Sequence, residues 1–96
     1  MADAGAAEGD KRMLKILNKR GLHARAAAKF VRTAGQFDAA VRVSHGGQSV
    51  SGLSIMGLMM LAAGIGSDIE ISASGPQAAE AMAALTELVT LKFGED

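Results

Sequence analysis

A chain of 96 residues can bury one modest hydrophobic core, and its 49% apolar and 21% charged residues are the balance of an ordinary soluble globule. Ten Lys+Arg offset ten Asp+Glu, and three Phe without Trp or Tyr offer few stacking platforms, so a nucleic-acid binder is not expected. With no Cys, neither a disulfide scaffold nor a cysteine metal site is possible, and a cytoplasmic location is the simplest expectation.

Residues 1–10 are small, polar and acidic without periodicity. They are expected to form a disordered tail, leaving 11–96 as a single domain. The opening "MADAGAAEGDKR" has no basic segment followed by an apolar stretch, so no secretory signal is expected. "RMLKIL" (12–17) alternates as a short strand, with Leu14 and Ile16 on one side and Lys15 on the other. "NKRG" (18–21) breaks it. Ala27, Phe30, Val31 and Ala34 then recur at helical spacing and predict a helix over 24–34, with Lys29 and Arg32 facing away and Gly35 as its stop.

"AAVRVS" (39–44) sets Val41 and Val43 on one face, and Gly46-Gly47 predicts a hairpin turn into "QSVSG" (48–52). "SIMGLMMLAAG" (54–64) reads as a short helix ending in Gly. "SDIEISASG" (67–75) alternates with Ile69 and Ile71 inward and Asp68 and Glu70 outward. Pro76 is expected to open a last helix. Its stripe is Ala78, Met82, Leu85, Val89 and Phe93, with Glu80 and Glu87 outside and "GED" as a frayed end. The apolar run "IMGLMMLAAGIG" is broken by Gly and too short to span a bilayer, so no membrane partner is expected. The order strand, helix, strand, strand, helix, strand, helix predicts an α+β fold, one sheet with helices over a single face and the other face left to water.

The chemistry gathers at "RGLHARAAAKFVRTAG" (20–35), where His23 stands at the mouth of the first helix. A His there can simply cap the helix or lie in solvent. Three features favour more. Gly21 lets the backbone turn sharply, and Ala24, Ala26, Ala27 and Ala28 leave the helix start uncrowded. Arg25 sits in the first turn, where the helix dipole disfavours a cation. A guanidinium and the unpaired N–H groups of Ala24, Arg25 and Ala26 together make an anion site, with phosphate the common occupant. The same positive surroundings disfavour imidazolium, so a neutral, nucleophilic ring is expected. A metal site is not, since His45 is the other histidine and no carboxylate lies within helical spacing of His23.

"GLHAR" before an Ala-rich helix, then "LSIMGLMML", then "IEISASGPQ", resembles the HPr family, the histidine phosphocarrier proteins of the bacterial phosphoenolpyruvate-dependent phosphotransferase system. The likeness covers residues 12–93. It implies an open-faced β-sandwich, a four-stranded antiparallel sheet covered on one side by three helices. It also implies that His23 is phosphorylated on Nδ1 by phospho-enzyme I, that Arg25 contacts that phosphate, and that the group passes to a IIA component. The family usually reads His-Ala-Arg-Pro, and Ala26 replaces that proline here. The replacement restores an N–H to the helix start at some cost in rigidity.

"SIMGLMML" is apolar on every side. Leu58, Leu61 and Ala62 make one stripe and Ile55, Met56 and Met59 another, and spacing alone does not say which is buried. The resemblance implies that Ile55, Met56 and Met59, with Ala24 and Ala28, form the exposed patch on which enzyme I and the IIA components dock. Flexible, polarizable methionine suits a surface that meets several partners. Ser54 is a natural N-cap for this helix. The resemblance adds a second role, as the regulatory serine phosphorylated by HPr kinase/phosphorylase.

His45 beside the Gly-Gly turn is expected to be an exposed loop residue, and Lys19 and Arg20 a solvated basic pair that can steer an acidic partner or extend the phosphate site. The expected activity is therefore a phosphoryl carrier, a reactant rather than a stand-alone catalyst, monomeric and without cofactor. "GPQ" and "FGED" point to the nitrogen-related branch and "SIMG" to serine-regulated members, so the branch stays open. The reading from another class is a purely regulatory binding module that uses Ser54 and the Met-rich patch without phosphoryl transfer.

Overall fold

The four alternating stretches pair into one sheet. In the structure, a computed structural model that describes residues 10–95, the strands are β1 (Asp10–Lys15), β2 (Ala40–His45), β3 (Gln48–Ser51) and β4 (Asp68–Ser74). Their order is β1-β4-β2-β3 and every pairing is antiparallel. The register sets Leu14 opposite Ile69, and Val43 opposite both Val50 and Ile71, so the period-two pattern collects the apolar side chains on one face. The other face is polar, and its Lys15–Asp68 ion pair at 3.0 Å is exposed and worth well under about 1 kcal/mol. Gly46 and Gly47, at φ 58° and 84°, form the β2–β3 turn that demands two positive φ values.

Three helices cover the apolar face: α1 (Ala24–Ala34), α2 (Ile55–Met60) and α3 (Ala78–Thr90). This is the open-faced sandwich the pattern predicts. Phe30, Ile16, Leu58, Ile69, Ile71, Met82, Leu85 and Phe93 are its large buried side chains, each contributing about 1.5–3 kcal/mol by leaving water. Ala26 and Ala27 on α1 and Ala78 and Ala81 on α3 are buried too, and their small size lets the two helices approach. Among the described residues, no helix is long and apolar enough to cross a membrane.

Several local expectations need correction. Apart from Asp10, which opens β1, the expected tail lies outside the described residues. β1 spans 10–15 rather than 12–17, although Ile16 just beyond it is fully buried. Gly35 does follow α1, but at φ −70° it is no left-handed stop; its N–H bonds to Val31 O at 2.9 Å and the helix unwinds through a further turn. α2 closes at Met60 instead of running to Gly64, because Ala62 takes φ 55° and turns the chain so that Ala63 O can receive the Leu22 N–H at 3.0 Å.

Ala62 is exposed, not part of the buried Leu58–Leu61 stripe. Pro76 precedes α3 by two residues, and Gln77 takes the N-cap position. Phe93 is buried as expected, yet it lies past the helix in a short 3₁₀ turn, Lys92–Gly94. Glu95 is not frayed but docked, as described below. His45 is the last residue of β2, half-buried, with Nδ1 3.1 Å from Asp68 O.

Candidate functional site

His23 is the N-cap residue of α1, with φ −73° and ψ 179°. Its carbonyl accepts the Ala27 N–H at 2.8 Å, while its imidazole makes no capping bond. The first helical hydrogen bond therefore starts at Ala27, and the N–H groups of Ala24, Arg25 and Ala26 stand ahead of the ladder. The Ala26 methyl is fully buried, while Ala24 is exposed and Ala28 half-buried.

The loop before His23 is pinned from below. Gly21 holds φ +64°, and a Cβ there would meet Ala63 O at 2.3 Å. Leu22 is buried as the anchor. This contact seats the imidazole in a groove of about 280 Å³ lined by Arg20, Leu22, Met59, Ala62, Ala63 and Gly64. The ring thus borders the end of α2 directly.

The partner of the ring comes from the far end of the chain. His23 Nε2 pairs with Glu95 Oε2, and among the described residues Nδ1 has no hydrogen-bond partner. The other carboxylate oxygen, Oε1, accepts from Asn18 Nδ2 at 3.1 Å. Asn18 is the one fully buried polar side chain among the described residues, and its Nδ2 also donates to Gly21 O at 2.8 Å. With two acceptors facing the same atom, the amide has one tenable orientation.

Burial pushes the Glu95 carboxyl up, but the His23 and Asn18 hydrogen bonds, and the charges of His23 and Lys29, hold it below the usual glutamate value. Lys29 does not face away from the fold as its helical phase suggests. Its Nζ donates to Phe93 O at 2.6 Å and ties the turn that carries Glu95.

Arg25 shares a cleft with Glu95. It is exposed, and the cleft, of about 380 Å³, is also lined by Lys19, Arg20, Lys29 and Gly94. Among the described residues Arg25 makes no ion pair. Ring and guanidinium thus border two hollows that share Arg20, and Glu95, which lines the second, pairs with the ring. Lys19 and Arg20 belong to this basic wall.

At α2, Ser54 Oγ accepts the Gly57 N–H at 2.9 Å, so the capping role is realised. Ile55, Met56, Met59 and Met60 are exposed at 42%, 70%, 41% and 70%, while Leu58 and Leu61 are buried, which identifies the outward stripe. Met59 reaches the groove of His23 and makes patch and ring one continuous surface.

Asn18 and Glu95 escaped the sequence reading. They are separated by 77 positions, and no local period links them. The available signal was a polar Asn between the buried strand end and Gly21, and a Phe-Gly-Glu that follows an apolar stripe.

The family described as "PTS HPr component phosphorylation site" matches residues 11–90. A phosphocarrier protein HPr from Neisseria meningitidis is 53% identical over 85 residues, covering 88% of this chain and 96% of its own. A phosphocarrier protein NPr from Shewanella violacea is 41% identical over 85 residues, covering 88% and 93%. The crystal structure of an HPr from Thermoanaerobacter tengcongensis superposes with a TM-score of 0.87 at 41% identity, covering 91% of this chain and 98% of that one. With both the matched family and these relatives spanning most of its length, the chain belongs to the HPr family of phosphocarrier proteins of the phosphotransferase system.

Proposed function

We propose that His23 is the residue that carries the phosphoryl group, on Nδ1, taking it from phospho-enzyme I and giving it to a IIA component. The observation that carries this reading is a helix-opening imidazole whose Nδ1 has no partner among the described residues and whose helix start offers three N–H groups outside the ladder. Arg25, with no ion pair among the described residues, is the cation that meets the new phosphate oxygens from the basic cleft. Enzyme I and the IIA component dock on Ala24, Ala28 and the exposed Ile55, Met56 and Met59. Small, transient complexes of a cytoplasmic monomer suit such a convex site.

Ser54 fits regulation by HPr kinase/phosphorylase. A phosphate there keeps an acceptor for the Gly57 N–H while placing close to two negative charges beside the apolar patch, which weakens docking. The purely regulatory alternative rests on that same patch and serine and needs no transfer at His23.

The test is incubation with phosphoenolpyruvate and enzyme I, followed by measurement of acid-labile phosphate. Wild type takes up label and His23→Ala does not; equal labelling of both rejects the carrier role of His23. Acid-stable label appears with ATP and the kinase only if Ser54 is a substrate, and Ser54→Ala abolishes it.

A further inference from the structure

Glu95 performs no step in the scheme above, yet its carboxylate is the group that touches the His23 ring. Three features show that this contact is built rather than incidental. Asn18, fully buried, spends its amide on Gly21 O and Glu95 Oε1, linking the loop before His23 to the carboxylate. Phe93 is buried two residues earlier and anchors the segment. Lys92, Phe93 and Gly94 take φ 58°, 55° and 76°, a left-handed run that only Gly adopts at little cost, and the Lys29 Nζ bond to Phe93 O holds it. Removing that turn would point Glu95 elsewhere.

We propose that Glu95, oriented by Asn18, is a positioning residue that keeps a proton on His23 Nε2, so that Nδ1 alone is available to accept the phosphoryl group and can release it again. This rests on the phosphocarrier reading of His23. The hydrogen bond made by one ring nitrogen decides which nitrogen holds the lone pair. A carboxylate accepts and cannot donate while ionised, so Nε2 facing it carries the hydrogen.

The balance of each step follows. On loading, the Nδ1 lone pair forms a bond to phosphorus, and the bond from phosphorus to the donor histidine nitrogen of enzyme I breaks, its electron pair staying on that nitrogen. The ring now bears phosphorus on Nδ1, hydrogen on Nε2 and a positive charge that faces Glu95. On unloading, the acceptor nitrogen of the IIA component bonds to phosphorus, the Nδ1–P bond breaks, and its pair returns to Nδ1. The ring departs as neutral imidazole, with no proton moved. Without the Nε2 hydrogen it would have to depart as imidazolate, a much poorer leaving group.

The other groups facing this pair are cations or apolar. Arg20 borders the ring from the preceding loop, and Met59, Ala62 and Ala63 wall it from α2 and its end. Lys19 and Arg20 from the loop, and Arg25 and Lys29 from α1, border Glu95. No second carboxylate lines either hollow among the described residues, and of these Glu95 is the one placed to offset a charged ring.

The test uses the full chain as wild type, Glu95→Gln and Glu95→Ala. Ring nitrogen NMR of the unphosphorylated protein, assigned against His23→Ala, reads where the proton sits. Loss of phosphate from the labelled protein is then followed against pH. In wild type the proton sits on Nε2, and in Glu95→Ala the share on Nδ1 rises several-fold. Glu95→Gln keeps an acceptor without the charge, so its dephosphorylation profile moves about one pH unit to lower pH, a roughly tenfold slower loss on the alkaline side. A purely structural role would lower stability and leave ring protonation and pH profile unmoved. Identical ring spectra in wild type and Glu95→Ala, or superimposable profiles in wild type and Glu95→Gln, overturn the proposal. Absence of label on His23 in wild type rejects the carrier reading instead, and the ring spectra then decide the role of Glu95 by themselves.

Discussion

At the scale of single residues, Gly21 and Arg25 show two kinds of constraint. Gly21 is required twice, by a φ of +64° and by an Ala63 carbonyl that would lie 2.3 Å from any Cβ. The atom in the way is backbone, so nothing flexible can yield. Gly21→Ala is therefore expected to lose about 2–4 kcal/mol, read as a lower urea midpoint with unchanged slope. Arg25 is the opposite case, an exposed cation without an ion pair among the described residues. Arg25→Ala is expected to leave unfolding within about 0.5 kcal/mol of wild type while slowing phosphoryl transfer about 10- to 100-fold, the value of one charge-assisted hydrogen bond. Rapid-quench labelling by phospho-enzyme I separates the two effects.

Among the elements, helix interiors and the bounds of α1 follow the sequence, and the ends of α2 and α3 do not. α1 spans Ala24–Ala34 as its apolar spacing predicts, since Ala favours helix and Phe30 fixes the buried face. The Gly46-Gly47 turn is equally legible, because few residue pairs accept two positive φ values. The ends of α2 and α3 are different. Ala62, Lys92 and Phe93 adopt the left-handed region without being Gly, and nothing in their residue types announces it.

Ala62 turns because the chain must reach Leu22, and Phe93 because the core has room for its ring. Relief of that constraint is measurable at Ala62, which is exposed: Ala62→Gly is expected to raise stability by about 0.5–1 kcal/mol in denaturant titration. Ser54→Ala removes the Oγ acceptor of Gly57 N–H and is expected to cost about 1 kcal/mol by the same measurement.

Across the whole molecule, equal numbers of acidic and basic residues conceal a segregated field. Among the described residues, Lys19, Arg20, Arg25 and Lys29 share one cleft with a single carboxylate, Glu95. That carboxylate joins the chain end to the loop before α1, and its folded pKa is depressed. A depressed folded value means that docking contributes fully above the ordinary glutamate range and fades as pH falls through the folded value. The stability gap between wild type and Glu95→Gln is thus expected to be widest near neutrality and to close in acid. Chemical denaturation at stepped pH checks this.

The alternation at Leu14, Val43, Ile69 and Ile71 and the spacing of Ala27, Phe30 and Ala34 were enough to establish strands, helices and their inward faces. They act between neighbours along the chain, where geometry repeats every two or 3.6 residues. The placement of His23 and Arg25 together at the start of α1 was readable for the same reason, as both belong to one helical turn. The meeting of Asn18, His23 and Glu95 was not, because residues 72 and 77 positions apart share no period. Their contact exists only once Phe93 enters the core and the last turn swings the carboxylate onto the ring.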